Sequence, residues 1–353
     1  MKILYGVQAT GNGHITRARV LAPALAERGA EVDFLFSGRA RDQLFNMEPF
    51  GDYQCRTGLT FCMRKGRVDG WRTLLKNQYL RLIKDIRALD LSGYDLVVSD
   101  FEPVSAWAAR LRGVPSVGIA HQYAFLHALP DRSIWRLLKP QIKLFAPVAQ
   151  AIGLHWQSFG GHCLPPMIQA PLYGPVSEPY KYLIYLPHDD LSEIIQCLKR
   201  FSTLRFFVYC NVSQQRVEDN IVLCPFSRHG FQRDLASCEG VICNAGFGLL
   251  SEAMQYGKKI LCLPQQGQLE QISNARVLSQ LEYGVVIKTL QDPQLQNWFN
   301  SASPVPVQWP DVGSALADWL ISGCQAPLSE LSDQLWVNPR TGMPVVAQSV
   351  TQN

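Results

Sequence analysis

The sequence predicts an α/β protein of two doubly wound domains, and three observations carry that prediction. Short β-branched or apolar runs alternate with helix-length amphipathic segments, the pattern of a parallel sheet with crossover helices. The alternation stops between Leu164-Pro165-Pro166 and Glu178-Pro179, where proline and glycine allow neither a long helix nor a central strand, and then restarts. The chain also has 353 residues, more than one small core organises. The expected division is a first domain over 1–165, a linker over 166–180, a second domain over 181–325 and a tail over 326–353.

Taken in order, Ile3–Val7 is apolar and β-branched and forms the first strand, and Ile15 to Glu27 has the spacing of the first crossover helix. Val32–Phe36, Leu96–Ser99 and Ser116–Ala120 are the next strands. Pro103 to Arg112 is a helix that opens with proline in its first turn and stops at Gly113. Beyond the linker, Tyr182–Tyr185, Leu204–Tyr209, Ile221–Cys224, Gly240–Cys243 and Ile260–Leu263 read as strands. Helices near Leu191–Arg200, Phe247–Tyr256 and Glu270–Leu281 separate them, and Val312 to Ile321 forms a last helix. Thr341 to Asn353 is polar and weakly periodic, as a frayed end would be.

Composition narrows the function classes. With 47% hydrophobic and 18% charged residues the chain is neither disordered, collagenous nor a coiled coil. Lys2 is followed by only a short apolar run before Gly11, so no export signal is expected, and the longest stretch without Asp, Glu, Lys or Arg, Leu144 to Ser177, holds five prolines and cannot span a bilayer. The ten cysteines form no C-x-x-C pair, as expected of reduced structural thiols in a cytoplasmic protein. The net charge of +4 divides unevenly: 21 basic against 13 acidic residues up to Ser177, and 12 against 16 thereafter. Nine of the first-half cations and only two acids, Asp69 and Asp85, lie between Arg56 and Arg87. The excess is a patch.

Two glycine turns carry the chemistry. Gly11-Asn12-Gly13-His14-Ile15-Thr16-Arg17 follows the first strand and opens the first helix, the position where open α/β sheets bind ligands. The dinucleotide fingerprint fails because residue 16 is Thr and no acid follows the second strand in the expected place, which argues against NAD. What is left is a turn presenting His14, an imidazole able to take a proton from a hydroxyl, or a histidine that only caps the helix. Two glycines around Asn12 are costly where only a turn is needed. The second turn, Cys243-Asn244-Ala245-Gly246-Phe247-Gly248, leads from a strand into a helix containing Glu252. Its free N–H groups suit a diphosphate, and Glu252 suits the two hydroxyls of a ribose.

A third cluster consists of Asp100, Glu102 and His121, which follow two neighbouring strands and should face the same end of the sheet as His14. Asp100 or Glu102 would orient a histidine, while the alternative for Asp100 is capping the helix that begins at Pro103. His121 either binds acceptor or simply ends its strand. His127, His155, His162, His188 and His229 lack metal-ligand spacing, and no metal site or cofactor is expected.

These residues resemble the GT-B glycosyltransferases, specifically the branch of the lipid II N-acetylglucosaminyl transferase, monogalactosyldiacylglycerol synthase and the UDP-glycosyltransferases. The resemblance spans both halves: a Gly-rich turn ending in Gly13-His14, then Asn244 to Glu252, Gly257, Pro264 and Glu270-Gln271 with Asn274-Ala275. It implies two Rossmann-like domains facing across a cleft, the first binding acceptor and the second a nucleotide-sugar, in particular a UDP-sugar. Donor contacts are implied for Asn244, Gly246, Phe247, Gly248, Glu252, Glu270 and Gln271, and acceptor contacts for Gly11, Gly13, Glu102 and His121, with the base contacted from Pro225-Phe226-Ser227-Arg228. Lys258 departs from the family, which usually has proline there, and Glu270-Gln271 replaces a commoner Asp-Gln or Gln-Gln pair.

The expected reaction is metal-independent inverting transfer to an acceptor hydroxyl, with His14 as base and Asp100 polarising it. The acceptor is expected to be lipid-linked or related to the cell envelope. Gly70 to Leu89 has Trp71, Leu75, Leu82, Ile86 and Leu89 at helical spacing among Arg72, Lys76, Arg81, Lys84 and Arg87, and Phe125 to Lys143 adds Trp135, Leu137, Leu138, Lys139 and Lys143. Such a surface is either solvated or rests on anionic lipid, which would make the protein peripheral at the inner membrane face. Nucleic acid is not an expected partner, because no motif accompanies the charge. The rivals are a nucleotide-sugar hydrolase, which the Gly-His-Ile-Thr-Arg run also resembles, a non-catalytic nucleotide-sugar-binding protein, and a sugar-nucleotide 2-epimerase.

Overall fold

The structure, a computed structural model, describes residues 1–60, 63–64, 67–68, 77–127 and 132–337. It divides into two compact units, one of residues 1–60, 77–127, 132–169 and 309–337, the other of 63–64, 67–68 and 170–308.

In the first unit β1 (Lys2–Gln8), α1 (Asn12–Glu27), β2 (Glu31–Ser37) and β3 (Gln54–Arg56) lead to α2 (Tyr79–Ala88), β6 (Leu96–Asp100), α3 (Pro103–Arg112), β7 (Ser116–Ala120), α4 (Arg132–Phe145), β8 (Gln150–Leu154) and β9 (Cys163–Leu164), with a short antiparallel pair, β4 (Met63–Arg64) and β5 (Arg67–Val68), assigned to the other unit. The seven strands of this sheet are parallel in the order β3-β2-β1-β6-β7-β8-β9. β1 aligns Ile3 with Val32 on one side and with Leu96 on the other. Because the chain first winds outward through β2 and β3 and then returns to β6, right-handed crossovers place α1 on one face and α2, α3 and α4 on the other. Leu4, Leu35, Val97, Val104, Ile86 and Leu89 fill the core beneath α2 and α3.

The last helices depart from the expected division. α10 (Val312–Ile321), which the sequence places with the second domain, belongs to the first unit and packs on α1. A β-carbon at Gly313 would come within 2.7 Å of Val20, so only glycine permits that approach. Arg28 adds a two-pronged ion pair to Asp318, at 2.5 and 2.8 Å. α11 (Leu328–Trp336), within the expected tail, follows: Ser332 Oγ and Trp336 Nε1 both donate to the Cys163 carbonyl beside β9.

The second unit contains β10 (Lys181–Tyr185), α5 (Leu191–Leu198), β11 (Arg205–Tyr209), β12 (Arg216–Glu218), β13 (Ile221–Cys224), α6 (Arg228–Ser237), β14 (Gly240–Cys243), α7 (Phe247–Gln255), β15 (Lys259–Cys262), α8 (Leu269–Gln280), β16 (Val285–Val286) and α9 (Gln294–Phe299). Its sheet runs β12-β13-β11-β10-β14-β15-β16 and is parallel except for the edge strand β12. Tyr182, Ile184, Phe206, Val208, Leu223, Leu261, Trp298 and Phe299 make its core. Lys258, the departure from the family pattern, is buried and donates to the Ala236 carbonyl at 2.7 Å near the end of α6, while burial lowers its pKa.

The sheet strands expected from the sequence are present with ends shifted by at most a residue or two. The helix expected over Gly70–Leu89 is described only as α2, and residues 70–76, with Trp71, Arg72, Leu75 and Lys76, lie outside the described residues, as do Lys65, Asp69 and Thr341 to Asn353. Among the described residues the cysteines are free thiols, and no helix is long and apolar enough to cross a membrane.

Candidate active site

Both sheets reverse direction at their first strand, and such switch points open a crevice beyond the carboxyl ends of the strands. In the first unit the reversal lies between β2-β1 and β6, and the residues leaving β1 and β6 meet there. His14, in the first turn of α1, places Nδ1 2.7 Å from Oδ1 of Asp100, the last residue of β6. Asp100 is completely buried and also accepts from Arg17, Nε to Oδ2 at 2.9 Å and Nη2 to Oδ1 at 2.6 Å. Burial works against the Asp100 carboxylate, yet the Arg17 guanidinium and His14 together hold its pKa below the ordinary value. In the tautomer that carries its proton on Nδ1, His14 donates to ionised Asp100. Nε2 is then the nitrogen able to accept a proton, and about a tenth of the His14 side chain reaches the surface.

A left-handed residue makes this arrangement. Phe101 has φ 53°, a conformation costing roughly 1 kcal/mol in a non-glycine residue. It is held by stacking on Phe145 at 4.7 Å and by an edge contact with Tyr123. The kink turns Asp100 towards α1 and Glu102 towards α3. Glu102, expected to touch acceptor, is instead a buried cap: it accepts from the Val104 and Ser105 amides at 2.8 and 2.6 Å and from the Ser105 and Ser37 hydroxyls at 2.6 Å each. Burial raises its pKa against these four donors. The capping alternative considered for Asp100 therefore belongs to Glu102.

His121 also departs from its expected acceptor role. It is 1% exposed, its Nδ1 lies 2.8 Å from the Leu154 carbonyl, and its ring packs on Phe125 and His155. Ordinary packing explains it. The glycine turn is shorter than expected, since α1 begins at Asn12 and only Gly11 lies before the helix. Gly11 has φ −122°, and a β-carbon there would meet nothing within 4 Å; at Gly13 it would meet only Arg17 at 3.9 Å. Neither glycine is required by the fold of the described residues.

In the second unit the reversal lies between β10 and β14, and Asn244 and Asp189, which follow those strands, meet there at 3.2 Å. Asn244 also donates to the Leu263 carbonyl, and Gln265 Nε2 donates to its amide oxygen. The turn is held from α8. Gln271 Oε1 accepts from the Ala245 and Gln265 amides at 3.2 and 2.9 Å, and Asn274 donates to the Ala245 carbonyl at 2.9 Å. The Gln271 carbonyl is therefore occupied in shaping the turn. Glu270, one position earlier in the first turn of α8, is half-buried.

Gly246 is exposed at the N-cap of α7, with φ −74° and open space where a β-carbon would lie. Phe247 turns its ring into the interior, so its contribution at the turn is its backbone N–H, beside half-buried Gly248. No acidic residue occupies the first turn of α7, which leaves its positive end available to an anion. Glu252, one and a half turns on, is half-buried and accepts from Gln232 at 2.8 Å; burial raises its pKa, opposed by Gln232 and Arg228. Phe226, in the stretch expected to contact a base, is 48% exposed and edge-on to Tyr185. Among the described residues, no three or more His, Cys, Asp or Glu side chains are placed to hold a metal ion.

Sequence reasoning missed Arg17, Asp189, Gln232 and the turn-holding role of Asn274. Arg17 lies one helical turn after His14, a spacing that could have marked it as a neighbour of the imidazole. Asp189 and Gln232 follow or precede strands far away in the chain, and only the sheet order brings them in.

Comparison with known proteins agrees with this architecture. The family model described as glycosyl transferase family 1 matches residues 1–136 and 163–303. A relative in Methanosarcina mazei, described only as an uncharacterized glycosyltransferase, is 23% identical over 345 residues, covering 84% of this chain and 88% of its own. Among solved structures, the glycosyltransferase SnogD of Streptomyces nogalater has a TM-score of 0.54 at 14% identity, covering 95% of this chain and 96% of its own. The glycosyltransferase SsfS6 of Streptomyces sp. SF2575, complexed with thymidine diphosphate, has a TM-score of 0.56 at 15% identity, covering 91% of this chain and 99% of its own.

Proposed function

The chain belongs to glycosyl transferase family 1 and is a glycosyltransferase with the two doubly wound domains of the GT-B fold; from that premise we propose that it moves a sugar from a UDP-sugar to an acceptor hydroxyl, with inversion and with His14 as base. The observation that carries this reading is the 2.7 Å contact of His14 with a buried, ionised Asp100 at the first switch point. Asp100 holds the imidazole with Nδ1 protonated, so that Nε2 removes the hydroxyl proton as oxygen attacks the anomeric carbon. The leaving diphosphate is received by the N–H groups and dipole at the start of α7, at Gly246, Phe247 and Gly248, a stabilisation that needs no metal.

The two glycines at the first turn and Gly246 at the second support close approach by a ligand, because nothing within the described fold demands glycine at any of them. The thymidine diphosphate in SsfS6 supports a nucleoside diphosphate donor. Glu252 favours a ribose, whose 2′- and 3′-hydroxyls a carboxylate takes together, over a deoxyribose, and Phe226 offers an aromatic edge to the base. Glu270 is the donor-sugar contact, with Gln271 supplying its geometry through the turn.

For the acceptor we infer a lipid-linked hydroxyl at an anionic membrane surface. On the face of the first sheet away from α1, neighbouring helices expose Leu80 and Ile83 of α2, Leu111 of α3 and Leu144 of α4. Arg81, Lys84 and Arg87, Arg110 and Arg112, and Arg136 and Lys143 lie exposed on the same three helices. Apolar side chains ringed by cations suit an interfacial position.

His14→Ala tests the reading. It should leave UDP-induced thermal stabilisation intact and lower turnover about 10²-fold or more; an active variant would overturn His14 as base. Greater stabilisation by dTDP than by UDP would overturn the ribose assignment, and rapid release of free sugar without acceptor would make the enzyme a hydrolase.

A further inference from the structure

A carboxylate buried beside an imidazole orients the ring but also stabilises the imidazolium, which works against its use as a base. Asp100 is fully buried and 2.7 Å from His14 Nδ1, the geometry in which this problem is greatest. Arg17 answers it. Its side chain is 7% exposed, it grips both Asp100 oxygens, and its Nη2 also stands 2.7 Å from His14 Nδ1. With Nδ1 protonated both nitrogens are donors, so this last approach is a contact of like dipoles rather than a hydrogen bond, and it turns into a contact of like charges when His14 gains a second proton.

We propose that Arg17 is a positioning residue for His14: by pairing with both Asp100 oxygens and standing against Nδ1 it holds the orientation of the ring and disfavours the imidazolium. The inference rests on the reading of His14 as the base. Among the described residues, Arg17 on α1, Tyr5 on β1 and Tyr123 beyond β7 interact with Asp100 besides His14, and the buried Glu102, two residues on, also acts on Tyr123. Burial pushes both phenols far up, so they stay neutral throughout the working range. Arg17 is then the cation that offsets the carboxylate. Lysine could not do the same, since a single ammonium cannot bridge both oxygens and reach the ring in one plane.

The test is the pH profile of kcat/KM for wild type, Arg17→Met and Arg17→Gln, with the titration of His14 followed by NMR in protein carrying ¹³C-labelled histidine. In both variants the acidic limb of the profile should move to higher pH by about one unit or more, and the His14 titration should move with it. Arg17→Gln keeps a donor for the buried carboxylate and gives the same comparison if Arg17→Met does not fold. A profile lowered evenly at all pH values, with the limb and the His14 titration unmoved, would make Arg17 merely structural and overturn the proposal. The NMR titration does not depend on turnover. A moved titration together with an active His14→Ala enzyme would therefore keep the electrostatic role of Arg17 and discard His14 as the base, whereas an inactive His14→Ala enzyme with an unmoved titration would do the reverse.

Discussion

Glu102→Ala distinguishes a residue that holds the fold from one that holds the acceptor. The carboxylate accepts two backbone amides at the start of α3 and two buried hydroxyls, so its removal acts through three losses. The helix cap is worth about 1 kcal/mol. One buried methylene is worth about 0.8 kcal/mol. The hydroxyls lose a strong acceptor, at about 1 kcal/mol each, although Ser37 keeps Gln8 at 3.3 Å and Ser105 keeps the Glu102 carbonyl at 3.5 Å. Relief from burying a charge, visible in the raised pKa of Glu102, offsets part of this. The expected net loss is about 2–4 kcal/mol, or roughly 5–10 °C in Tm for a domain of this size. Urea unfolding followed by tryptophan fluorescence measures it as a fall in midpoint at constant slope. An unchanged midpoint combined with a tenfold rise in acceptor KM would refute the reasoning and restore Glu102 to the acceptor site.

Asp100→Asn should lower turnover by about 10²–10⁴-fold, because the amide no longer fixes the His14 tautomer. The same variant has an acid signature: a carboxyl whose folded pKa lies below its unfolded value stabilises the protein above the unfolded value, near 4, and loses that contribution as the pH falls through the folded one. Wild-type stability should therefore fall between about pH 5 and pH 2 more steeply than that of the variant, and parallel curves in urea titrations would contradict this. Gly246→Ala should leave the ligand-free Tm within about a degree, since the site has room for a methyl group, but should weaken UDP binding, measured by calorimetry. Leu80→Ser, Leu111→Ser and Leu144→Ser combined should reduce co-sedimentation with phosphatidylglycerol vesicles; full retention would return this face to solvent.

Much of the fold was legible because parallel strands buried on both faces are written as continuous apolar runs, as in Leu96–Ser99 and Ile260–Leu263. What escaped was written differently. Gln150–Leu154 carries glutamine and glycine and becomes strand β8 only through its parallel partners β7 and β9. Arg228–Ser237 has no apolar stripe to mark it as a helix, and its start is set by the Ser227 hydroxyl accepting from Gly230. At the site, His14 was legible from its glycine neighbours and Asp100 from its place at a strand end. Glu102 and His121 shared that second signal without sharing the chemistry, since strand-end position does not tell which way a side chain turns.

The amino-acid sequence alone therefore determined the class of the fold, the two glycine turns and the residue types gathered at them, because local periodicity and turn chemistry act over a few residues. Tertiary structure decided the division of labour. The φ of 53° at Phe101 sent Asp100 to His14 and Glu102 to the α3 cap, the sheet order brought Asp189 to Asn244, and the Gly313 approach drew the last helices onto the first unit. Each of those outcomes depends on contacts between residues distant in the chain. A linear pattern names the groups available for such contacts, while their direction and burial are set only when the sheets close around them.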